Sequence, residues 1–185
     1  MAVRWERQGM PRMRWAVNLS PVQFRSRGLV QAVLSALAHS GLSAKRLELE
    51  ITESVLLGET EANLATLHSL RALGSSISMD DFGTGYSSLS YLRSFPFDKI
   101  KIDRSFVNEM MERADCVAII RAVAGLGMSL GIATTAEGVE TSAQLDCLRA
   151  EGCTEIQGYL VSPPRPASEV WQLLAASNGR AMSAA

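Results

Sequence analysis

Neither sign of charge dominates this sequence: 18 basic residues stand against 19 acidic ones, for a formal net charge of -1. That balance excludes the broad positive surface with which proteins hold nucleic acid polymers or anionic membranes, so an anionic ligand must be held locally. Cysteine is scarce. Cys116, Cys147 and Cys153 are odd in number and lack metal-type spacing, which suits free buried thiols in a reducing cytoplasm. Histidine is scarcer still, and His39 and His68 fall on helical stretches away from strand ends, as surface or packing residues. No apolar run is long enough to span a membrane: the most apolar region, Cys116 to Ala136, contains Arg121 and several glycines and reads as a buried helix followed by a strand. The start, Met1-Ala2-Val3-Arg4-Trp5-Glu6, lacks the apolar core of a signal peptide. Low-complexity runs and repeats are also missing. What is present is a 185-residue chain, 47% hydrophobic and 20% charged, long enough for one sizeable core and too short for two ordinary domains.

Periodicity predicts strands alternating with helices. Strands are expected at Trp15–Leu19, Arg46–Ile51, Ser76–Asp80, Lys99–Asp103, Gly131–Ala136 and Thr154–Gln157. Helices are expected at Leu29–Leu42, Glu59–Leu73, Cys116–Leu126, Thr141–Glu151 and Ala167–Ala176, with a helical turn over Ser88–Arg93 and a frayed tail from Ser177 to Ala185. Residues 1–12 read as a helix end and a connection, broken by Gly9 and Pro11. This alternation points to a parallel α/β sheet. Six strands do not close an eight-stranded barrel, so the sheet is either open or a barrel whose first part lies outside the chain.

Strand parity brings the polar residues together. Leu47, Leu49 and Ile51 share one face and Glu48 and Glu50 the other; Ile100 and Ile102 oppose Lys99, Lys101 and Asp103. Val17 and Leu19 likewise oppose Asn18, and Ile77 and Met79 oppose Asp80. The apolar faces are expected to pack on helices and the polar faces to look inward. Asn18, Glu50, Asp80, Lys101 and Asp103 close their strands, and Glu137 and Gln157 close or just follow theirs, at the end where parallel α/β folds bind ligands. Asp80 and Asp81 then meet the loop Phe82-Gly83-Thr84-Gly85-Tyr86-Ser87-Ser88-Leu89. Converging carboxylates need a counter-charge, and a hard divalent cation held by oxygen ligands supplies one. Blander readings stand beside this: a strand-end turn at Asn18, a solvated Glu50–Glu53 pair, a structural Lys101–Asp80 or Lys101–Asp103 pair, and helix-start acids at Glu137 and Glu140.

Several stretches resemble the EAL domain, the cyclic di-GMP phosphodiesterase module of bacterial signalling proteins. They are Val17-Asn18-Leu19-Ser20, Glu48-Leu49-Glu50-Ile51-Thr52-Glu53, Asp80 to Leu89, Lys101-Ile102-Asp103-Arg104-Ser105-Phe106, Ala136-Glu137-Gly138-Val139-Glu140 and Gln157-Gly158-Tyr159-Leu160, in the family's order and over nearly the whole chain. The resemblance implies a TIM-type (β/α) barrel with about six of its eight strands here, residues 1–176 being an EAL-type domain lacking its first two strands. It implies a two-metal site for Mg²⁺ or Mn²⁺: Asn18, Glu50 and Asp80 on one metal, Asp80, Asp81 and Glu137 holding or supporting the other. Lys101 would then orient or activate the attacking water. Asp103, Gln157 and Glu140 look like substrate contacts or supporting residues, and Glu53 resembles the acid that anchors the glycine loop. The implied reaction converts cyclic di-GMP to linear pGpG, in the cytoplasm and under an upstream sensor or regulatory domain, and exposed sheet edges would invite a homodimer. The sequence contains no Glu-Ala-Leu, the signature whose glutamate is a metal ligand in that family. Two rivals remain: a non-catalytic module binding cyclic di-GMP or a protein, and an enolase-like barrel using Lys101 as a base.

Overall fold

A computed structural model of the chain describes residues 2–7, 9, 12–56, 60–84, 95–170 and 172–174. After α1 (Ala2–Arg7), six strands follow: β1 (Trp15–Leu19), β2 (Leu47–Thr52), β3 (Ser76–Phe82), β4 (Lys99–Ile102), β5 (Ala133–Glu137) and β6 (Glu155–Gln157). They form one sheet in sequential order, every adjacent pair parallel. The connections carry α2 (Pro21–Phe24), α3 (Leu29–Ser40), α4 (Thr60–Ala72), α5 (Arg104–Glu109), α6 (Ala114–Leu130) and α7 (Ser142–Ala150). Residues 167–170 and 172–174 are helical.

Two ion pairs measure how strongly this sheet curls. Lys99 Nζ on β4 lies 2.9 Å from Glu48 Oε2 on β2 and 2.7 Å from Glu155 Oε2 on β6. In a flat sheet β2 and β6, four strands apart, would sit roughly 19 Å from each other. Two carboxylates from such strands meet at one nitrogen only if the sheet rolls around it, and the result is a half-barrel with its polar side inward.

The outer face is apolar and packs under the helices. Leu49, Ile51, Ile77, Met79, Ile100 and Ile102 are each no more than 1% exposed, against Leu67 and Leu70 of α4, Ile120 of α6 and Leu148 of α7. Reciprocal capping boxes start two helices, Ser20 with Gln23 on α2 and Thr141 with Gln144 on α7, satisfying backbone donors that would otherwise be orphaned. Val17 departs from expectation. Its parity is right, but it is 46% exposed, because β1 is an edge strand whose outer side is only partly covered. The cysteines are free, with Cys116 buried and Cys147 and Cys153 only half-buried. No helix among the described residues is long and apolar enough to cross a membrane. The expected turn at Ser88–Arg93 and the tail 177–185 lie outside the described residues.

Candidate metal-binding site

The inner face is built in two polar layers by the period-2 alternation of the strands. Glu48, Lys99 and Glu155 form the lower one. Two residues further along their strands stand Glu50, Lys101 and Gln157, joined by Asp80 and Glu137. Lys101 is the hub of the upper layer. Its side chain is 5% exposed, and Nζ reaches Glu137 Oε1 at 2.6 Å, Asp80 Oδ1 at 3.0 Å and Glu50 Oε1 at 3.1 Å. Burial alone would lower the pKa of this ammonium, but hydrogen bonds to Glu137 and Asp80 outweigh it and raise the pKa above the ordinary lysine value. Lys101 is therefore held as a cation.

Adjacent strand residues point to opposite faces, yet Asp80 and Asp81 serve the same site. The β3–β4 register shifts between Met79 and Phe82, and Asp81 has φ 55, the one described non-glycine residue with positive φ. This bulge re-aims the Asp81 side chain. It is secured on its far side, where Thr84 N–H and Oγ1–H both donate to Asp81 O, at 3.3 and 2.8 Å. Gly83, at φ 98, lies flat against the Phe106 ring of α5: a Cβ there would come within 2.9 Å of Phe106 Cε2. One carboxylate oxygen from each of Asp80, Asp81 and Glu137 can then gather within 4.8 Å of the others.

Crowding of like charges shows in the titration behaviour. Burial first, then the charges of Asp80 and Asp103, raise the Asp81 pKa. Burial, followed by the charges of Asp80 and Glu50, raises Glu137 in spite of its bond to Lys101. Carboxylates pushed together and half-buried in this way form a hard-oxygen donor set whose mutual repulsion a divalent cation relieves, so the residues fit such an ion.

The remaining candidates are placed as follows. Asn18 is exposed at the end of β1, in register with Glu50. Glu50 and Glu53 are 7% and 6% exposed, so the reading of a solvated pair is corrected: Glu50 lies on β2 between two neighbouring strands, and Glu53 starts the turn that follows it. Asp103 makes no ion pair with Lys101 among those seen. Instead it caps α5, accepting from Ser105 N–H at 2.9 Å, while adding its charge to Asp81. Gln157 lines a cavity of about 260 Å³ shared with residues of both layers, and Glu140 is exposed just beyond β5. Of the glycine loop that Glu53 is expected to anchor, residues 85–89 lie outside the described residues. Just past β5 and β6, Gly158 lets the two segments touch: a Cβ there would lie 2.2 Å from Val139 O. Sequence reasoning placed Glu48 and Lys99 on the inner face and gave them no role. Alternation was the available signal, and it does not say which residues meet across strands.

A rolled parallel sheet with helices outside and oxygen donors at the C-terminal strand ends defines a partial TIM-type barrel carrying a cation-type site. The EAL domain model matches residues 1–164, and the chain belongs to the EAL domain family. It is 46% identical over 155 residues to MucR of Pseudomonas aeruginosa, a bifunctional diguanylate cyclase/cyclic di-GMP phosphodiesterase, covering 84% of this chain and 23% of that protein. The MucR phosphodiesterase in complex with c-di-GMP superposes with a TM-score of 0.86 at 44% identity, over 90% of this chain and 68% of that one. BlrP1 of Klebsiella pneumoniae, solved with manganese and cy-diGMP, matches with a TM-score of 0.76 at 34% identity, over 82% of this chain and 39% of that one. The chain spans about a fifth of the length of the curated relatives it matches.

Proposed function

We propose that this chain carries the cation-binding and water-orienting half of a cyclic di-GMP phosphodiesterase, which opens one ester P–O bond of the cyclic dinucleotide to give linear pGpG. The observation that supports this best is the convergence of Asp80, Asp81 and Glu137 around Lys101 at the strand ends of a chain belonging to this family. In this reading Asn18, Glu50 and Asp80 hold one Mg²⁺ or Mn²⁺ ion, and Asp80, Asp81 and Glu137 hold or support a second. A divalent cation bound there supplies Lewis acidity at the scissile phosphate and lowers the pKa of water. Lys101, kept cationic by its three carboxylates, orients the water by donating hydrogen bonds rather than by accepting its proton. Glu137, whose Oε1 lies 2.6 Å from Lys101 Nζ, is the carboxylate that acts beside it at that water. In this reading Gln157, Glu140 and Asp103 contact substrate or support the residues that do, and Glu53 supports the loop after β3. The whole protein is cytoplasmic and carries a sensor or regulatory domain outside these residues.

Hydrolysis of cyclic di-GMP by this chain with Mg²⁺ or Mn²⁺, followed by chromatography of pGpG, is the test. Activity is expected, with Asp80→Asn and Lys101→Ala each lowering it by about 10²–10³-fold. The absence of Glu-Ala-Leu favours a second reading, a module that binds cyclic di-GMP without turning it over. Calorimetric nucleotide binding indifferent to EDTA, with no pGpG formed, would establish that reading in place of the first.

A further inference from the structure

The lower polar layer is not needed to hold a ligand, yet it is built from charges. Glu48 is 4% exposed and the Lys99 side chain 12%, so their pairing takes place largely out of water, and Thr135 Oγ1 adds a 3.0 Å hydrogen bond to Glu155. Barrel interiors are ordinarily filled by branched apolar side chains. A buried ion pair is often no more stable than an apolar replacement of the same shape, because both ions must be desolvated. Stability alone is thus a weak reason for the Glu48–Lys99 pair, and the Lys99–Glu155 arm, with the Glu155 side chain 44% exposed, adds little to it. Their placement suggests another one. Lys99 ties β4 to β2 and to β6, neither of which it pairs with directly, and each tie sits two residues before a member of the upper layer: Glu48 before Glu50, Lys99 before Lys101, Glu155 before Gln157. All six of these residues line one open cavity of about 260 Å³, and the strands that carry them connect the spacing of one layer to that of the other.

We propose that Lys99, Glu48 and Glu155 form an ionic strut that sets the roll of the sheet and thereby the mutual positions of Glu50, Lys101 and Gln157, with Lys99 a positioning residue for the site above it. The strut follows from the geometry alone; its consequence for metal binding rests on the proposed function. Lys99→Met removes the cation and leaves two carboxylates facing one another. The triple variant Glu48→Gln/Lys99→Met/Glu155→Gln removes the strut without leaving a buried charge, and Lys99→Arg keeps a cation able to bridge both acids.

Two readouts separate the strut from the metal reading. The first is the heteronuclear NMR signal of the Lys101 ammonium, identified by its loss in Lys101→Met and slowed in exchange by its three carboxylate partners. It is expected in the wild type and in Lys99→Arg, and shifted or broadened away in the triple variant while circular dichroism stays that of the folded chain. The second is Mn²⁺ affinity by calorimetry, expected to fall about 10- to 100-fold in the triple variant, the usual cost of losing a residue that orients a metal ligand. A folded triple variant with an unchanged Lys101 signal overturns the proposal. Should the wild type bind no Mn²⁺, the metal reading falls and the Lys101 signal still decides the strut. Should both Lys99→Met and the triple variant fail to fold, Glu155→Gln decides: it cuts only the partly exposed β6 arm, and an unmoved Lys101 signal there counts against the strut.

Discussion

Asp81 bears two separate costs, one in its backbone and one in its charge. Its φ of 55 lies in the left-handed region, where aspartate and asparagine are tolerated and a residue such as alanine is disfavoured by about 1–2 kcal/mol. Its carboxyl pKa is raised above the ordinary 3.8 by burial and by Asp80 and Asp103. The folded state therefore binds this proton more tightly than the unfolded state does. Ionised Asp81 opposes folding in full above the raised pKa, and the opposition fades as pH falls through the window down to the ordinary value. Asp81→Asn, which keeps the backbone preference and drops the charge, is expected to raise the melting temperature of the metal-free chain by roughly 2 °C at pH 7. That gain should vanish below pH 4, and the same variant should lose divalent-ion affinity. Asp81→Ala should melt below Asp81→Asn at every pH, since it adds the backbone strain. Thermal melts of the three proteins at pH 7 and pH 3.5 check this; a lower melting temperature for Asp81→Asn at pH 7 would sink it.

The end of β3 and the start of α5 act as one unit, and their dependence on each other was hidden from either sequence alone. The alternation over Ser76–Asp80 predicted the strand, but the bulge that carries Asp81 onto the inner face arises from its pairing with β4 and from the Phe106 ring against Gly83. Helix α5 escaped prediction because it has only six residues, although Asp103 followed two positions later by Ser105 is a capping signal that was there to be read. The other strand bounds agree within about two residues, since regular alternation is a local property that tertiary context here reinforces. A double-mutant cycle isolates the contact. Gly83→Ala is expected to destabilise through both its φ of 98 and the clash with Phe106, whereas Phe106→Leu makes room for the new methyl group. The two changes together should therefore cost less than their sum, by about 0.5–3 kcal/mol in denaturant unfolding. Strict additivity would mean that the ring is not what the glycine accommodates.

At the scale of the whole molecule, the candidate site spans the sheet from its buried central strands to its two exposed edges. The meeting of Glu50, Asp80 and Glu137 with Lys101 was legible, because parity and strand-end position are properties of each strand. The Lys99 strut was not, because two acids meet one lysine only after the sheet has rolled. That roll leaves β1 and β6 each hydrogen-bonded on one side among the described residues, with Asn18 and Gln157 exposed at those edges, while every residue of β4 after Lys99 is buried. Backbone amides of paired, buried strands open only with the global transition, and those at edges open at lower free energy. Hydrogen exchange followed by mass spectrometry of peptides is therefore expected to show the slowest exchange in β3 and β4 and the fastest in β1 and β6. At micromolar protein, β1 exchanging as slowly as β4 would contradict this order. Edge protection that rises with protein concentration, while β3 and β4 stay unchanged, is the result expected if copies of the chain pair through these edges.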